Sequence, residues 1–251
     1  MHKFFVPENN MDGKIATITG DDVKHIYKVL RLKAGDKINI NNYKGKEFVA
    51  EIRSIDKAAV ICNIIEEVNA DNESSIKIHL YQALPKASKM ELIIQKATEL
   101  GVISIIPVIT KRVVVKNEFG ESKKIDRWNK IALEACKQSK RTLIPKVKNT
   151  IDFNEFLEEV KEFDLIVVPY ENEKNHGIKN MISNIRDRYI TNVAIMVGPE
   201  GGFEDEEIKR LEEVGAYIVT LGPRILRTET AGFVCSSLIM YELGDIGGEI
   251  Q

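Results

Sequence analysis

Near the C-terminus two short apolar runs each break into a Gly-Pro loop and then open a helical pattern. The first is Val193-Ala-Ile-Met-Val197, followed by Gly198-Pro-Glu-Gly-Gly202 and the acidic run Phe203-Glu-Asp-Glu-Glu207. The second is Tyr217-Ile-Val-Thr-Leu221, followed by Gly222-Pro-Arg-Ile-Leu-Arg-Thr-Glu-Thr-Ala231 and an apolar helical pattern to Leu243. A strand–loop–helix unit used twice in succession restricts the chain to an α/β layer architecture. Earlier segments keep the alternation. Residues 76–83 read as a strand, and Ser88-Lys-Met-Glu91 as a capping box opening a helix that stops at Gly101. Residues 102–109 read as a buried strand. Residues 126–140 form a helix with Trp128, Ile131, Ala132 and Ala135 on one face, and 165–168 a further strand. Such alternation predicts a mostly parallel sheet covered on both faces. In open sheets of this kind ligands bind outside the carboxyl ends of the strands, where both Gly-Pro loops fall.

The first 70 residues follow another rule. Short β-prone runs at 37–40, 48–52 and 59–62 are separated by polar turns such as Tyr43-Lys-Gly-Lys46. One helical pattern interrupts them at 22–30, with Asp21 or Asp22 as its cap. A small barrel is the natural closure. The stretch Asn69-Ala-Asp-Asn-Glu-Ser-Ser75 has linker composition, which predicts domains at 1–70 and 75–251. With 43% hydrophobic residues, both can hold real cores. No apolar run is long enough to span a bilayer, and Met1 opens no signal-peptide pattern, so a cytoplasmic protein is expected. Cys62, Cys136 and Cys235 are scattered, as are the four histidines. Neither a disulfide framework nor a metal site is expected.

The loops exclude common ligands. No Gly-x-x-x-x-Gly-Lys run exists, and Gly198, Gly201 and Gly202 miss the dinucleotide spacing. Glu204, Asp205, Glu206 and Glu207 fill the first turn of the next helix, where a phosphate would meet carboxylates instead of free N–H groups. A polyphosphate is therefore not the expected ligand. Gly-Pro-Glu-Gly-Gly alone could be only a tight turn. The second loop carries more: Arg224, Arg227, Thr228, Glu229 and Thr230 crowd before a helix, and Thr228 or Thr230 as N-cap explains one of them.

These two motifs resemble the C-terminal signatures of SPOUT-type RNA methyltransferases. The resemblance is closest to the bacterial family that methylates uridine N3 in 16S ribosomal RNA. His25-Ile-Tyr-Lys-Val-Leu-Arg-Leu-Lys-Ala-Gly-Asp36, Lys96-Ala-Thr-Glu-Leu-Gly-Val102 and Glu134-Ala-Cys-Lys-Gln-Ser-Lys-Arg141 with Pro145 extend it along the chain. Two positions depart from the pattern: Lys3 stands where Arg is usual, and Lys111-Arg112 where Glu-Arg is common.

The resemblance implies a PUA-like RNA-binding barrel, an α/β domain with a trefoil knot, a homodimer built partly on the last helix, and S-adenosylmethionine as cofactor. It assigns cofactor contacts to Tyr170, Glu171, Val197, Gly198, Pro199, Glu200, Gly201, Leu221, Gly222, Ile225, Leu226, Thr228 and Ala231. A cationic sulfonium tolerates a carboxylate such as Glu200 nearby. Uridine N3 becomes nucleophilic only as its proton leaves and charge spreads to the flanking carbonyls. Arg227 is the expected stabiliser of that charge, and Glu200 or Glu229 the proton acceptor.

Net charge is −2, yet nine basic residues lie between Lys123 and Lys148 against Asp126 and Glu134. Such a run can follow a phosphate backbone, although a solvated helix face has the same composition. Lys28, Arg31 and Lys33 make a second basic spot. Charge alone does not name the partner; the resemblance implies RNA contacts at Lys3, Arg31, Lys96, Arg112, Arg141 and Arg224, with 16S ribosomal RNA in the small ribosomal subunit as partner. Two alternatives share these features: a noncatalytic RNA-binding or assembly factor, and a ribose 2′-O-methyltransferase of the same fold. The latter typically has Asn at the position of Arg227.

Overall fold

A computed structural model describes residues 1–68, 72–86, 89–114 and 121–248. Ser88 of the expected capping box, and 69–71 of the expected linker, lie outside these residues. The chain divides into two compact units, Met1–Glu73 with Cys136–Ile144, and Ser74–Ala135 with Pro145–Gln251.

The first unit holds strands β1 (Lys3–Phe5), β2 (Met11–Asp12) and β3 (Ile15–Thr19), then helix α1 (Asp21–Lys24), which runs into a π-helical turn over His25–Val29. Strands β4 (Lys37–Asn41), β5 (Glu47–Ile55) and β6 (Ala59–Val68) complete a mixed sheet in the order β1-β4-β5-β6-β3-β2. Only β1 and β4 run parallel. The sheet is a half-barrel, with β1 and β2 as its two edges. Register shifts between Val49 and Ala50 and between Ile52 and Ser54 supply curvature, because a bulge bends and twists its strand. Alternate residues line the core: Ile38 and Ile40, Ala50 and Ile52, Val60 and Cys62. Gly20, at φ +75, takes the N-cap position of α1, and no side chain caps it. Asp21 and Asp22 are thus first-turn acids complementing the dipole, not the expected caps.

Residues 136–144 join this unit through several bonds, including four to one carboxylate. Glu73 accepts from Arg141 Nε (3.1 Å) and Nη2 (2.6 Å) and from the backbone N–H of Thr142 (2.8 Å) and Leu143 (2.9 Å). Lys140, at φ +60, offers its carbonyl to Lys3 Nζ (2.9 Å) and Asn72 Nδ2 (3.0 Å).

The second unit carries β7 (Lys77–Ala83), α2 (Lys89–Glu99), β8 (Ser104–Ile109), α3 (Glu121–Ser139, its last turn belonging to the first unit), β9 (Lys146–Val147) and β10 (Ile151–Asp152). Then follow α4 (Phe153–Glu159), β11 (Leu165–Pro169), α5 (Ile178–Asn184), β12 (Asn192–Val197), α6 (Asp205–Glu213), β13 (Tyr217–Val219) and α7 (Thr228–Leu243). Every strand pair is parallel, in the order β10-β8-β7-β12-β11-β13 with β9 beside β8. Inward residues of β7, β8, β11 and β12 pack with Phe153, Phe156 and Leu157 of α4 and Leu211 of α6. The loops after β11, β12 and β13 therefore all emerge at one edge.

Helix α7 starts at Thr228, so its N-cap position is held by Arg227 and not by the expected Thr228 or Thr230. No side chain caps it. The Thr228 hydroxyl is engaged elsewhere, as shown below.

His79 on β7 pairs Nδ1 with Ser104 Oγ at 2.7 Å and meets the Phe163 ring edge-on. Burial first, then the charges of Lys148 and Lys77, push its pKa from 6.5 down to about 4. A depressed folded-state value means that His79 stabilises fully above pH 6.5 and loses that contribution as pH falls toward 4. The gap in melting temperature between the wild type and His79→Gln is expected to narrow across that window; a constant gap contradicts it. All three cysteines are buried, and desolvation raises their thiols to about 12 (Cys62), 11 (Cys136) and 12 (Cys235). Among the described residues there is no cluster of metal-ligating side chains, and no helix is long and apolar enough to cross a membrane.

Candidate functional site

The loops after β11, β12 and β13 enclose an open cleft of about 490 Å³. One wall is Val197, Gly198, Pro199, Glu200, Gly202 and Phe203. The other is Ile225, Leu226, Arg227, Thr228 and Ala231, with Pro169, Glu171 and Lys89 between them. A smaller pocket of about 90 Å³ adjoins it, lined by Tyr170, Thr220, Leu221, Gly222, Pro223 and Arg224 and sharing Pro169, Glu171, Ile225, Leu226 and Ala231. Every expected cofactor residue lines one or both except Gly201. Its carbonyl accepts from Arg112 Nη1 (2.8 Å), and a Cβ there would sit 3.2 Å from Arg112 Cβ. Gly201 faces away.

Two of the glycines stand where a side chain would be strained or crowded. Gly202 adopts φ +70, and a Cβ on it would overlap the Glu171 carboxylate. A Cβ on Gly198 would lie 2.9 Å from the Phe203 ring. A hydrogen-bonded relay fixes the two walls relative to each other. Gln82 Nε2 donates to Thr228 Oγ1 (2.9 Å), and that hydroxyl donates to the Gly198 carbonyl (2.6 Å). Thr228 thus joins the end of β7, the start of α7 and the loop after β12, which is why it caps nothing.

The loop after β12 is held from outside as well. Arg112 grips Glu204 through Nε (2.9 Å) and Nη2 (3.1 Å), a bidentate pair. Buried Glu207 accepts from the backbone N–H of Lys111 (2.9 Å) and of Glu204 (2.9 Å). Glu204 and Glu207 form a capping box at the N-terminus of α6, and its acidic first turn disfavours an anion there.

Lys89 is a charged site residue that sequence reasoning missed. It stands in the first turn of α2, where the helix dipole disfavours a cation. Two carboxylates offset that: Nζ lies 2.9 Å from Glu200 Oε1 and 3.3 Å from Glu229 Oε2. The second approach is off hydrogen-bonding geometry, so Glu229 Oε2 is ion-paired without a hydrogen bond. Burial alone would raise the Glu200 carboxyl, but Lys89 and the backbone N–H groups of Glu200 and Lys86 outweigh it and hold it below its usual value. Its hydrogen bond to Glu200 raises Lys89 in turn. Both expected proton acceptors are committed to one ammonium. A lysine in an N-terminal turn was the available signal. Pro169, Gly202, Phe203, Thr220 and Pro223 were also missed; they flank residues that were named.

The expected RNA contacts separate into two groups. Lys3, largely buried, is 2.6 Å from Glu47 Oε2, and Arg141 is 4% exposed against Glu73. Lys96 pairs with Glu99 at 2.8 Å, and Arg112 holds Glu204. These four already serve protein carboxylates, and burial withdraws Lys3 and Arg141 from solvent. Arg31 (φ +55) and Arg224 are exposed and, among the described residues, have no ion-pair partner, as is also true of Arg227.

Residues 72–240 match the RNA methyltransferase domain family, and 18–65 match the RNA methyltransferase PUA domain. A ribosomal RNA small subunit methyltransferase E from Bacillus subtilis is 39% identical over 236 residues, 93% of this chain and 92% of that protein. The chain belongs to the ribosomal RNA small subunit methyltransferase E family. A member of that family from Neisseria gonorrhoeae, solved bound to S-adenosylmethionine, aligns with a TM-score of 0.83 and 33% identity, covering 98% of this chain and 99% of that one. A putative methyltransferase from Legionella pneumophila, also solved with S-adenosylmethionine, aligns at 0.78 and 34%, covering 97% and 98%.

Proposed function

We propose that the chain methylates N3 of a uridine in 16S ribosomal RNA, with S-adenosylmethionine held in the cleft between the loops after β11, β12 and β13. The observation that carries this reading is the cleft itself. It is lined by the side-chain-free Gly198 and Gly202, and its rim carries carboxylates that suit a cationic sulfur and repel phosphates. Backbone groups of Leu221, Gly222, Ile225 and Leu226 form the walls that would flank a flat adenine, and the Gly198–Thr228 relay keeps those walls in register. When bound, the cofactor supplies a methyl group on a cationic sulfur. Arg227, exposed at the start of α7 on the cleft wall, faces the charge that develops on the uracil carbonyls as N3 loses its proton.

In the same reading, residues 1–70 bind RNA with Arg31 at their surface, Arg224 adds a contact beside the cleft, 75–251 perform the chemistry in the cytoplasm, and the chain is knotted. The return of α7 from edge strand β13 onto α2, β7 and β12 supports the knot. Exposed Leu92 on α2 and Tyr241 on α7 support a homodimer through these packed helices. Sedimentation at micromolar concentration is expected to show a dimer; monomer alone contradicts it. The function is tested by calorimetry with S-adenosylmethionine and by mass mapping of 16S RNA from a deletion strain. A cofactor heat and one lost N3-methyluridine are expected. No heat identifies a noncatalytic RNA binder, and a lost ribose methyl identifies a 2′-O enzyme.

A further inference from the structure

We propose that Glu171 is the proton acceptor of this site; the assignment rests on the uridine-N3 reading above. Methyl transfer to N3 must release one proton, which a basic group at the cleft can accept. The carboxylates available there are not equivalent. Glu200 is held by Lys89 Nζ at 2.9 Å and by the Lys86 N–H at 3.1 Å. Glu229, buried, faces the same ammonium at 3.3 Å. A carboxylate whose lone pairs are occupied by a cation and N–H donors is a weak base. Glu171 differs on every count. It lines both the cleft and the adjoining pocket, it is exposed, and among the described residues no cation or hydrogen-bond donor engages its carboxylate.

Its placement is specific. The segment after β11 is held to β13 by the Tyr170 N–H on the Val219 carbonyl (2.9 Å), which sets the backbone just before Glu171. The carboxylate then occupies the space that Gly202, at φ +70, leaves by having no Cβ. A side chain at 202 would displace it. The glycine loop thus makes room for a free base as well as for a ligand.

The step balances as follows. The N3–H proton passes to a Glu171 carboxylate oxygen, and the pair left on N3 forms the N–CH3 bond. The carbon–sulfur bond breaks with its pair going to sulfur, which becomes a neutral thioether. Glu171, now a carboxylic acid, returns its proton to water. The two flanking carbonyl oxygens carry the transient charge opposite Arg227.

The test compares the wild type, Glu171→Gln and Glu171→Asp in the full-length protein. Three readouts are needed: kcat against pH, calorimetric affinity for S-adenosylmethionine, and mass identification of the methylated base. Glu171→Gln is expected to lower kcat by about 10²-fold or more, the usual size of general-base loss, and to remove the ascending acid limb of the profile. Glu171→Asp should restore part of kcat, and in both variants kcat should fall by a far larger factor than cofactor affinity. If affinity falls in step with turnover and the acid limb persists, Glu171 holds the cofactor, and the proposal is overturned. Unchanged kcat overturns it as well. If the wild-type product is not N3-methyluridine, the underlying reading fails by itself, whatever the variants do.

Discussion

Replacing Arg227 with alanine is expected to lower methyl transfer by about 10²–10³-fold while the calorimetric affinity for S-adenosylmethionine stays within about threefold. The size follows from removing a preorganised donor from a place where charge appears only in the transition state. The selectivity follows from geometry: Arg227 stands on the cleft wall, exposed, with no protein carboxylate beside it among the described residues. Its side chain is exposed and makes no cap to α7, so its loss removes no capping bond from the fold. Arg227→Lys keeps the charge but not the planar fork and should recover only part of the loss. Turnover close to wild type removes the role. Lost affinity with intact single-turnover chemistry makes Arg227 a cofactor residue instead.

Arg141→Ala is expected to cost about 2 kcal/mol of stability in urea or thermal unfolding. Breaking a fully buried pair by removing one partner costs about 3–5 kcal/mol. Glu73 retains some solvent contact, 22% against 4% for Arg141, and keeps its bonds to the Thr142 and Leu143 N–H groups, so the lower figure applies. Arg141→Lys should rescue little, because one ammonium cannot replace both Nε and Nη2. A variant that unfolds like the wild type yet binds RNA weakly would return Arg141 to the nucleic-acid surface.

Arg141 also shows where sequence reasoning stopped. Its charge was legible, as was that of Lys3, but burial against Glu73 and Glu47 depends on segments far apart in the chain, so side chains expected on phosphates are internal ion pairs. The same applies to 136–144. A helical pattern is local, whereas the docking of its end beneath Glu73 is not, so no single cut in the sequence describes the two units. The parallel strands and both Gly-Pro loops were legible because their signals are local: continuous apolar runs, and residues that permit positive φ. Gly198 is crowded by the Phe203 ring and Gly202 holds a positive φ, whereas Gly201, equally suggestive in sequence, faces Arg112. Thr228 looked like an N-cap by position and composition. Its hydroxyl is taken by Gln82 and Gly198, 146 and 30 residues away, and no propensity argument reaches so far. Lys89 was passed over because its partners, Glu200 and Glu229, come from the opposite end of the chain.

The enclosed thiols have a practical corollary. Only thiolates react readily with maleimides or nitroxide reagents, and Cys62, Cys136 and Cys235 are both hidden from solvent and far from ionised at neutral pH. The native chain is therefore silent toward such probes. A single cysteine introduced at exposed Tyr189 would carry a fluorophore or spin label without background.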